Sequence, residues 1–217
     1  MSSSPPRALV LDFDGVIIES NEVKTDAFRH VFSRFPDHLD AMMSFHFENI
    51  SLSRFEKFKH FIRERLGRTA DDKLLGELAS EFTAFVAKRL EHVPFVPGAL
   101  EFLREFAPRV PLYLASVTPE PDLGATLGAR ELTKYFRAVY ACPPWTKADA
   151  ARDVIRISAC DPSEILLIGD SPGDLRAADE AGVGFVARDS GIIFHPPLND
   201  LHPDMFAIGN LIRERLA

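Results

Sequence analysis

The 217 residues suit one domain, or one domain with a modest insertion, because domains mostly hold about 100–150 residues. Hydrophobic residues make up 46% and charged residues 26%, a globular balance that excludes a disordered or fibrous chain. Twenty-five Lys plus Arg against 32 Asp plus Glu leave a net charge of −7, which argues against a nucleic-acid partner held through its phosphates.

The leader from Met1 to Arg7 is rich in Ser and Pro and carries no apolar export segment. No later run approaches the roughly 20 apolar residues that span a bilayer, so no membrane partner is expected. Two cysteines, Cys142 and Cys160, fit a reduced, cytoplasmic setting better than a disulfide scaffold. Ala8 to Leu11 is a short apolar run ending abruptly in Asp12-Phe13-Asp14-Gly15, the pattern of a buried parallel strand that runs into a polar loop. From Glu19 to about Pro94 the spacing turns helical, with apolar residues three and four apart through Phe28, Val31, Phe32 and Phe35 and again through Phe55, Phe58, Phe61 and Ile62. This block holds ten of the 18 phenylalanines, which marks it as a small helical unit with its own aromatic core.

Pro94, Pro97 and Gly98 punctuate the exit from that block. Strands are then predicted at 110–115, 138–141, 165–168 and 184–187, with helical stretches at 98–106, 123–135, 147–158 and 174–181 between them and a closing helix at 210–216. Such alternation predicts an α/β fold: a Rossmann-like parallel sheet with helices on both faces, and ligands beyond the carboxyl ends of its strands.

Three of those strand ends carry polar residues: Asp12 and Asp14 after the first, Ser116 after the second, and Asp170 after Ile165-Leu166-Leu167-Ile168. Lys147, opening a helix, belongs nearby. Two carboxylates one residue apart, joined by a third, form a hard oxygen site suited to Mg²⁺, and the lack of His and Cys disfavours zinc. A carboxylate-held magnesium usually manages phosphate charge, and Lys147 adds a cation of the sign a phosphate needs. Gly15 suits the tight turn that lets backbone N–H groups approach an anion. The set points to phosphoryl transfer.

On these residues the chain resembles the haloacid dehalogenase superfamily of phosphatases, in particular members with a helical cap inserted after the first motif. Leu11-Asp12-Phe13-Asp14-Gly15-Val16 is similar to the first motif, Ser116 at the end of Leu112-Tyr113-Leu114-Ala115 to the second, Lys147 to the third, and Gly169-Asp170-Ser171-Pro172-Gly173-Asp174 to the fourth. The resemblance implies a core of residues 1–18 and 95–217 with a cap of residues 19–94. It implies Asp12 as the nucleophile that forms an aspartyl-phosphate, and Asp14 as general acid and then base. It implies Mg²⁺ held by the Asp12 carboxylate, the Asp14 main-chain carbonyl and Asp170, with Asp174 binding the metal or capping the following helix. Ser116, Lys147 and Gly15 would hold the phosphoryl group.

Two positions depart from the family pattern. Val117 stands where relatives often have Asn, so a polar contact is missing or comes from Thr118, and Glu19 stands where they often have Asp at the cap hinge. In the cap, Ser53 and Glu56 read as a capping box, while Arg54 or Lys57 is expected to read the leaving group, with Glu19 reaching into the site from the hinge. The expected substrate is a small phosphorylated metabolite, such as a sugar phosphate or a phosphoglycolate-like acid. The alternatives are a phosphomutase of the β-phosphoglucomutase type and a non-catalytic binding relative.

Overall fold

The structure is a computed structural model and describes residues 5–69, 71–90 and 92–217, so the leader reading from Met1 to Ser4 lies outside the described residues. Two compact units divide the chain: Met1–Glu19 with Pro94–Ala217, and Ser20–Val93.

The first unit is built on a sheet of six strands among the described residues: β1 Ala8–Leu11, β2 Leu112–Ser116, β3 Ala138–Ala141, β4 Ile165–Gly169, β5 Gly184–Arg188 and β6 Leu201–His202. Their spatial order is β3-β2-β1-β4-β5-β6, with every pairing parallel. Every residue of β1, β2 and β4 is buried, which is why these runs are apolar without alternation. The chain winds outward in one direction through β2 and β3 and in the other through β4 and β5. The order therefore reverses between β1 and β4, where α/β sheets open a crevice at their carboxyl edge.

The second unit holds α1 Asn21–Phe32, α2 Leu39–Glu48, α3 Arg54–His60 and α4 Asp72–Leu90. Its core is aromatic: Phe28 lies 4.7 Å from Phe82 and 5.8 Å from Phe58, and Phe32 packs edge-on to Phe61 at 5.2 Å. The expected capping box is present, with Ser53 Oγ accepting from Glu56 N–H at 3.3 Å and Glu56 Oε2 accepting from Ser53 N–H at 3.0 Å.

Five more helices flank the sheet: α5 Ala99–Phe106, α6 Glu120–Ala129, α7 Lys147–Ser158, α8 Pro172–Ala181 and α9 Met205–Leu216. Val10, Tyr113, Ala115 and Leu167 pack under Ala150, Val154 and Ala177 of α7 and α8. Several borders differ from the sequence expectation for local reasons. Strand β2 starts at Leu112 because Pro111 has no N–H to give, although its carbonyl accepts from Leu9 N–H at 3.0 Å. Helix α6 stops at Ala129, just before Glu131 takes a left-handed φ of 56°. Helix α8 starts two residues early, on Pro172 at its first turn, and α9 five residues early, capped by Asp204 whose Oδ1 accepts from Ala207 N–H at 2.8 Å. The two-residue β6 carries too little pattern to be read from sequence. No helix among the described residues is long and apolar enough to cross a membrane.

Candidate active site

The site is assembled by adjacent strands. Asp12 continues β1 far enough for its N–H to bond Ile168 O at 2.9 Å, which fixes the residue at the reversal point between β1 and β4. The chain then turns sharply: Ile17 N–H reaches Phe13 O at 2.9 Å, Gly15 N–H reaches Ile18 O at 2.8 Å, and Gly15 takes φ 73°, a conformation that glycine adopts without steric cost. Gly15 thus forms the expected turn, with its own N–H turned into it. Asp12 and Asp14 are 6% and 7% exposed, so the turn holds both acids largely away from water.

Each acid is held by specific partners. Asp12 Oδ1 accepts from Phe13 N–H at 2.7 Å, and Asp12 Oδ2 lies 2.6 Å from Lys147 Nζ. Lys147 opens α7, whose N-cap Thr146 accepts from Asp149 N–H at 3.0 Å, and its ammonium also bonds Asp174 Oδ1. Asp14 Oδ2 accepts from Thr118 Oγ1 at 3.2 Å and from Ser116 Oγ at 3.5 Å, so Thr118 makes a polar contact in the segment where Val117 cannot. Asp174 is the third residue of α8 and completes a capping box with the N-cap Ser171, its Oδ2 accepting from Ser171 N–H at 3.1 Å and Ser171 Oγ at 2.6 Å. A Cβ on Gly169 would lie 2.3 Å from the Asp174 Cβ, so only glycine at the end of β4 lets Asp174 come this close.

Oxygens of Asp12, Asp170 and Asp174 lie within 4.8 Å of one another, and all three residues are buried. Burial pushes the Asp12 carboxyl well above the ordinary carboxylate range; Lys147 pulls it down, while Asp174, Asp170 and Asp14 push it further up. Burial alone would lower the Lys147 ammonium, but Asp12 and Asp174 outweigh it and hold the group charged far above neutral pH. Lys147 is bonded to two of the four carboxyl groups gathered here, and the cluster offers carboxyl oxygens as donors, a set that fits a hard divalent cation such as Mg²⁺.

The structure therefore brings Asp12, Asp14, Ser116, Lys147, Asp170 and Asp174 to one edge of the sheet. Glu19 is held in an ion pair with Arg188, at 2.5 Å from Glu19 Oε1 to Arg188 Nη2. In the helical unit Lys57 is turned inward and is 1% exposed, with Nζ 2.9 Å from His46 Nδ1, 3.2 Å from Ile50 O and 4.7 Å from the Phe28 ring centroid. The Arg54 guanidinium lies over the rings of Phe55 and Phe82, at 5.2 and 5.5 Å. Sequence reasoning missed Arg188, which ends β5 one residue past the pairing of Ala187 with Gly169, as Asp170 directly follows Gly169 at the end of β4. The available signal was a basic residue closing the apolar run Phe185-Val186-Ala187, in the same style as the acids that close β1 and β4.

The Haloacid dehalogenase-like hydrolase family model matches residues 9–188. The phosphoglycolate phosphatase of Escherichia coli (strain K12) is 28% identical over 145 residues, 65% of this chain and 54% of that protein, so the chain matches about half the length of such curated relatives. A predicted phosphoglycolate phosphatase from Haemophilus somnus has the same fold at a TM-score of 0.74 and 15% identity, covering 97% of this chain and 99% of that one. A putative β-phosphoglucomutase from Thermotoga maritima superposes at 0.68 with 18% identity over 96% and 99%. The match across residues 9–188, with all four motifs in order along one sheet edge, shows that the chain belongs to the haloacid dehalogenase-like hydrolase family.

Proposed function

We propose that the protein is a Mg²⁺-dependent phosphatase that hydrolyses a phosphomonoester of a small metabolite through an aspartyl-phosphate on Asp12. The observation that carries this reading is the pairing of two buried acids with different partners: Asp12 against the Lys147 ammonium at 2.6 Å, and Asp14 against the neutral hydroxyl of Thr118 at 3.2 Å. Two carboxyl groups whose surroundings differ in charge suit two different tasks.

In the first half-reaction an Asp12 carboxylate oxygen attacks phosphorus, the bond to the ester oxygen breaks, and Asp14 gives its proton to the leaving alkoxide. In the second, Asp14 takes a proton from water as that water attacks phosphorus, the bond to Asp12 breaks, and phosphate leaves with the Asp12 carboxylate restored. Phe13 N–H holds the rotation of the Asp12 carboxylate, and Thr118 and Ser116 hold that of Asp14. Lys147 offsets charge on the transferred group. Asp12, Asp170 and the Asp14 carbonyl are the groups that would hold Mg²⁺, with Asp174 beside them holding Lys147; the ion would offset negative charge on the phosphoryl oxygens.

The helical unit inserted after the first motif suits a cap that limits access to small substrates. The matched relatives named phosphoglycolate phosphatase support a phosphorylated small acid as the first substrate to try. A cytoplasmic enzyme fits the two free cysteines. The test is phosphate release from a panel of phosphorylated metabolites, with and without Mg²⁺. Metal-dependent release from a small phosphomonoester is expected. Isomer interconversion without net release would replace this reading with a phosphomutase, and neither activity would point to a binding protein.

A further inference from the structure

The Arg188 guanidinium lies at the carboxyl edge of the sheet, with its side chain 9% exposed, and it joins the end of β5 to two other segments, one at Gly15 and Glu19 and one at Pro203. Nη1 donates to Gly15 O at 3.3 Å and to Glu19 Oε2 at 3.0 Å, Nη2 donates to Glu19 Oε1 at 2.5 Å, and Nε donates to Pro203 O at 3.4 Å. Gly15 directly follows Asp14, and Glu19 is the last residue of the sheet unit before the chain enters the helical unit. The same stretch is stitched to the returning chain, with Glu19 N–H on Pro94 O at 3.0 Å and Val96 N–H on Ile17 O at 3.0 Å. The returning chain in turn meets the Pro203 segment, where Met205 N–H bonds Pro97 O at 2.9 Å.

We infer that Arg188 is a positioning residue for the reaction: by clamping Gly15 and Glu19 it fixes the turn that carries Asp14 and so sets where the Asp14 carboxyl meets the leaving oxygen. The inference rests on the phosphatase reading. A largely buried ion pair contributes little net stability after desolvation, so a role in stability alone gives weak reason for placing this one beside the acids. Its bidentate form with an added carbonyl contact gives geometric definition, which an ammonium cannot reproduce. A displacement of about 1 Å at a reacting group costs on the order of a hundredfold in rate.

The experiment compares wild type, Arg188→Lys and Glu19→Gln in the full chain. It measures kcat and KM with an alkyl and an aryl phosphate, thermal unfolding, and amide exchange of Gly15, Ile17 and Ile18 against that of β1. Arg188→Lys is expected to lower kcat for the alkyl ester about 10–100-fold, since that leaving group needs the acid, and for the aryl ester by less than about threefold. KM and the melting temperature should hold while exchange at the three turn amides quickens and that of β1 does not. Glu19→Gln, at a partly exposed side chain, should give the same kinetic and exchange pattern more mildly, with a fall in melting temperature because the Arg188 charge is left uncompensated, and decides the matter if Arg188→Lys does not fold. Equal losses on both esters, or unchanged exchange in the turn, would overturn the clamp. If wild type releases phosphate from no ester, the phosphatase reading fails on its own, and turn exchange alone then decides whether Arg188 holds the turn.

Discussion

The Lys147 ammonium bridges Asp12, at the end of β1, and Asp174, in the first turn of α8, with 2.6 Å to Asp12 Oδ2 and a second bond to Asp174 Oδ1. Removing one partner from a buried charge cluster leaves the others uncompensated, at a cost of about 3–5 kcal/mol. Lys147→Met is therefore expected to lower the melting temperature by roughly 10 °C and kcat by at least about a hundredfold. Calorimetry and phosphate release check this; a melting temperature unchanged within a degree would show that the bridge is not coupled to folding.

Gly169 should tolerate no side chain. Its added methyl would fall 2.3 Å from Asp174 Cβ and 2.4 Å from Asp174 Cγ, inside any real contact, so Asp174 or β4 must move. Gly169→Ala is expected to lose about 1–3 kcal/mol of stability and to weaken Mg²⁺ binding by titration calorimetry, because both Lys147 and the acid cluster follow Asp174. Metal affinity equal to wild type would mean that Asp174 does not set the cluster.

Thr118→Val removes the hydroxyl that holds Asp14 Oδ2 while keeping the shape of the side chain. If Asp14 protonates the leaving group, kcat should fall about tenfold for an alkyl phosphate and much less for an aryl phosphate, whose leaving oxygen needs little help. The ratio of the two rates is the measurement, and an unchanged ratio contradicts the acid role.

The helical unit should carry its own pH signature. Burial lowers the Lys57 amine from its ordinary 10.5 to about 7, with Lys24 lowering it further and Glu56 opposing. Burial first, then Lys57 and Arg29, lowers His46 to about 3. With Lys57 donating to His46 Nδ1, the imidazole proton sits on Nε2 and points to Thr25 Oγ1 at 3.1 Å. Between about pH 7 and 10.5 the unfolded chain holds a proton on Lys57 that the folded chain lacks, so Lys57 makes stability rise with pH across that window. His46 makes it fall as pH drops from 6.5 toward 3. From pH 7 to 9 the wild type should gain up to about 2.5 kcal/mol relative to Lys57→Met. Parallel melting curves for the two proteins across pH 7–9 would refute an inward, depressed Lys57.

Where a candidate residue coincided with the end of a strongly patterned element, sequence was enough to place it at the sheet edge. Asp12 and Asp170 each close an all-apolar run, and Lys147 opens an amphipathic helix, so the edge they share follows from the alternation of strands and helices. The Arg188–Glu19 pair spans 169 positions and belongs to no periodic pattern, so only the folded sheet brings it together. Lys57 is a similar case: the sequence expects it to read the leaving group, and no periodic pattern announces that α3 turns it toward Phe28, with His46 Nδ1 and the Ile50 carbonyl within hydrogen-bond reach of its Nζ. Asp174 carried two readings, helix cap and metal neighbour, and its two oxygens divide between Ser171 and Lys147.

The most direct test of the account is phosphate release by wild type and Asp12→Asn side by side, each with Mg²⁺ and with EDTA, on the best ester from the panel. The substitution keeps the volume at the end of β1 and removes the nucleophilic carboxylate. Wild type is expected to release phosphate only with the metal, and the variant to lose at least about a thousandfold while still melting cooperatively, as the loss of an attacking group demands. Wild-type rates from Asp12→Asn at saturating Mg²⁺ would contradict the account.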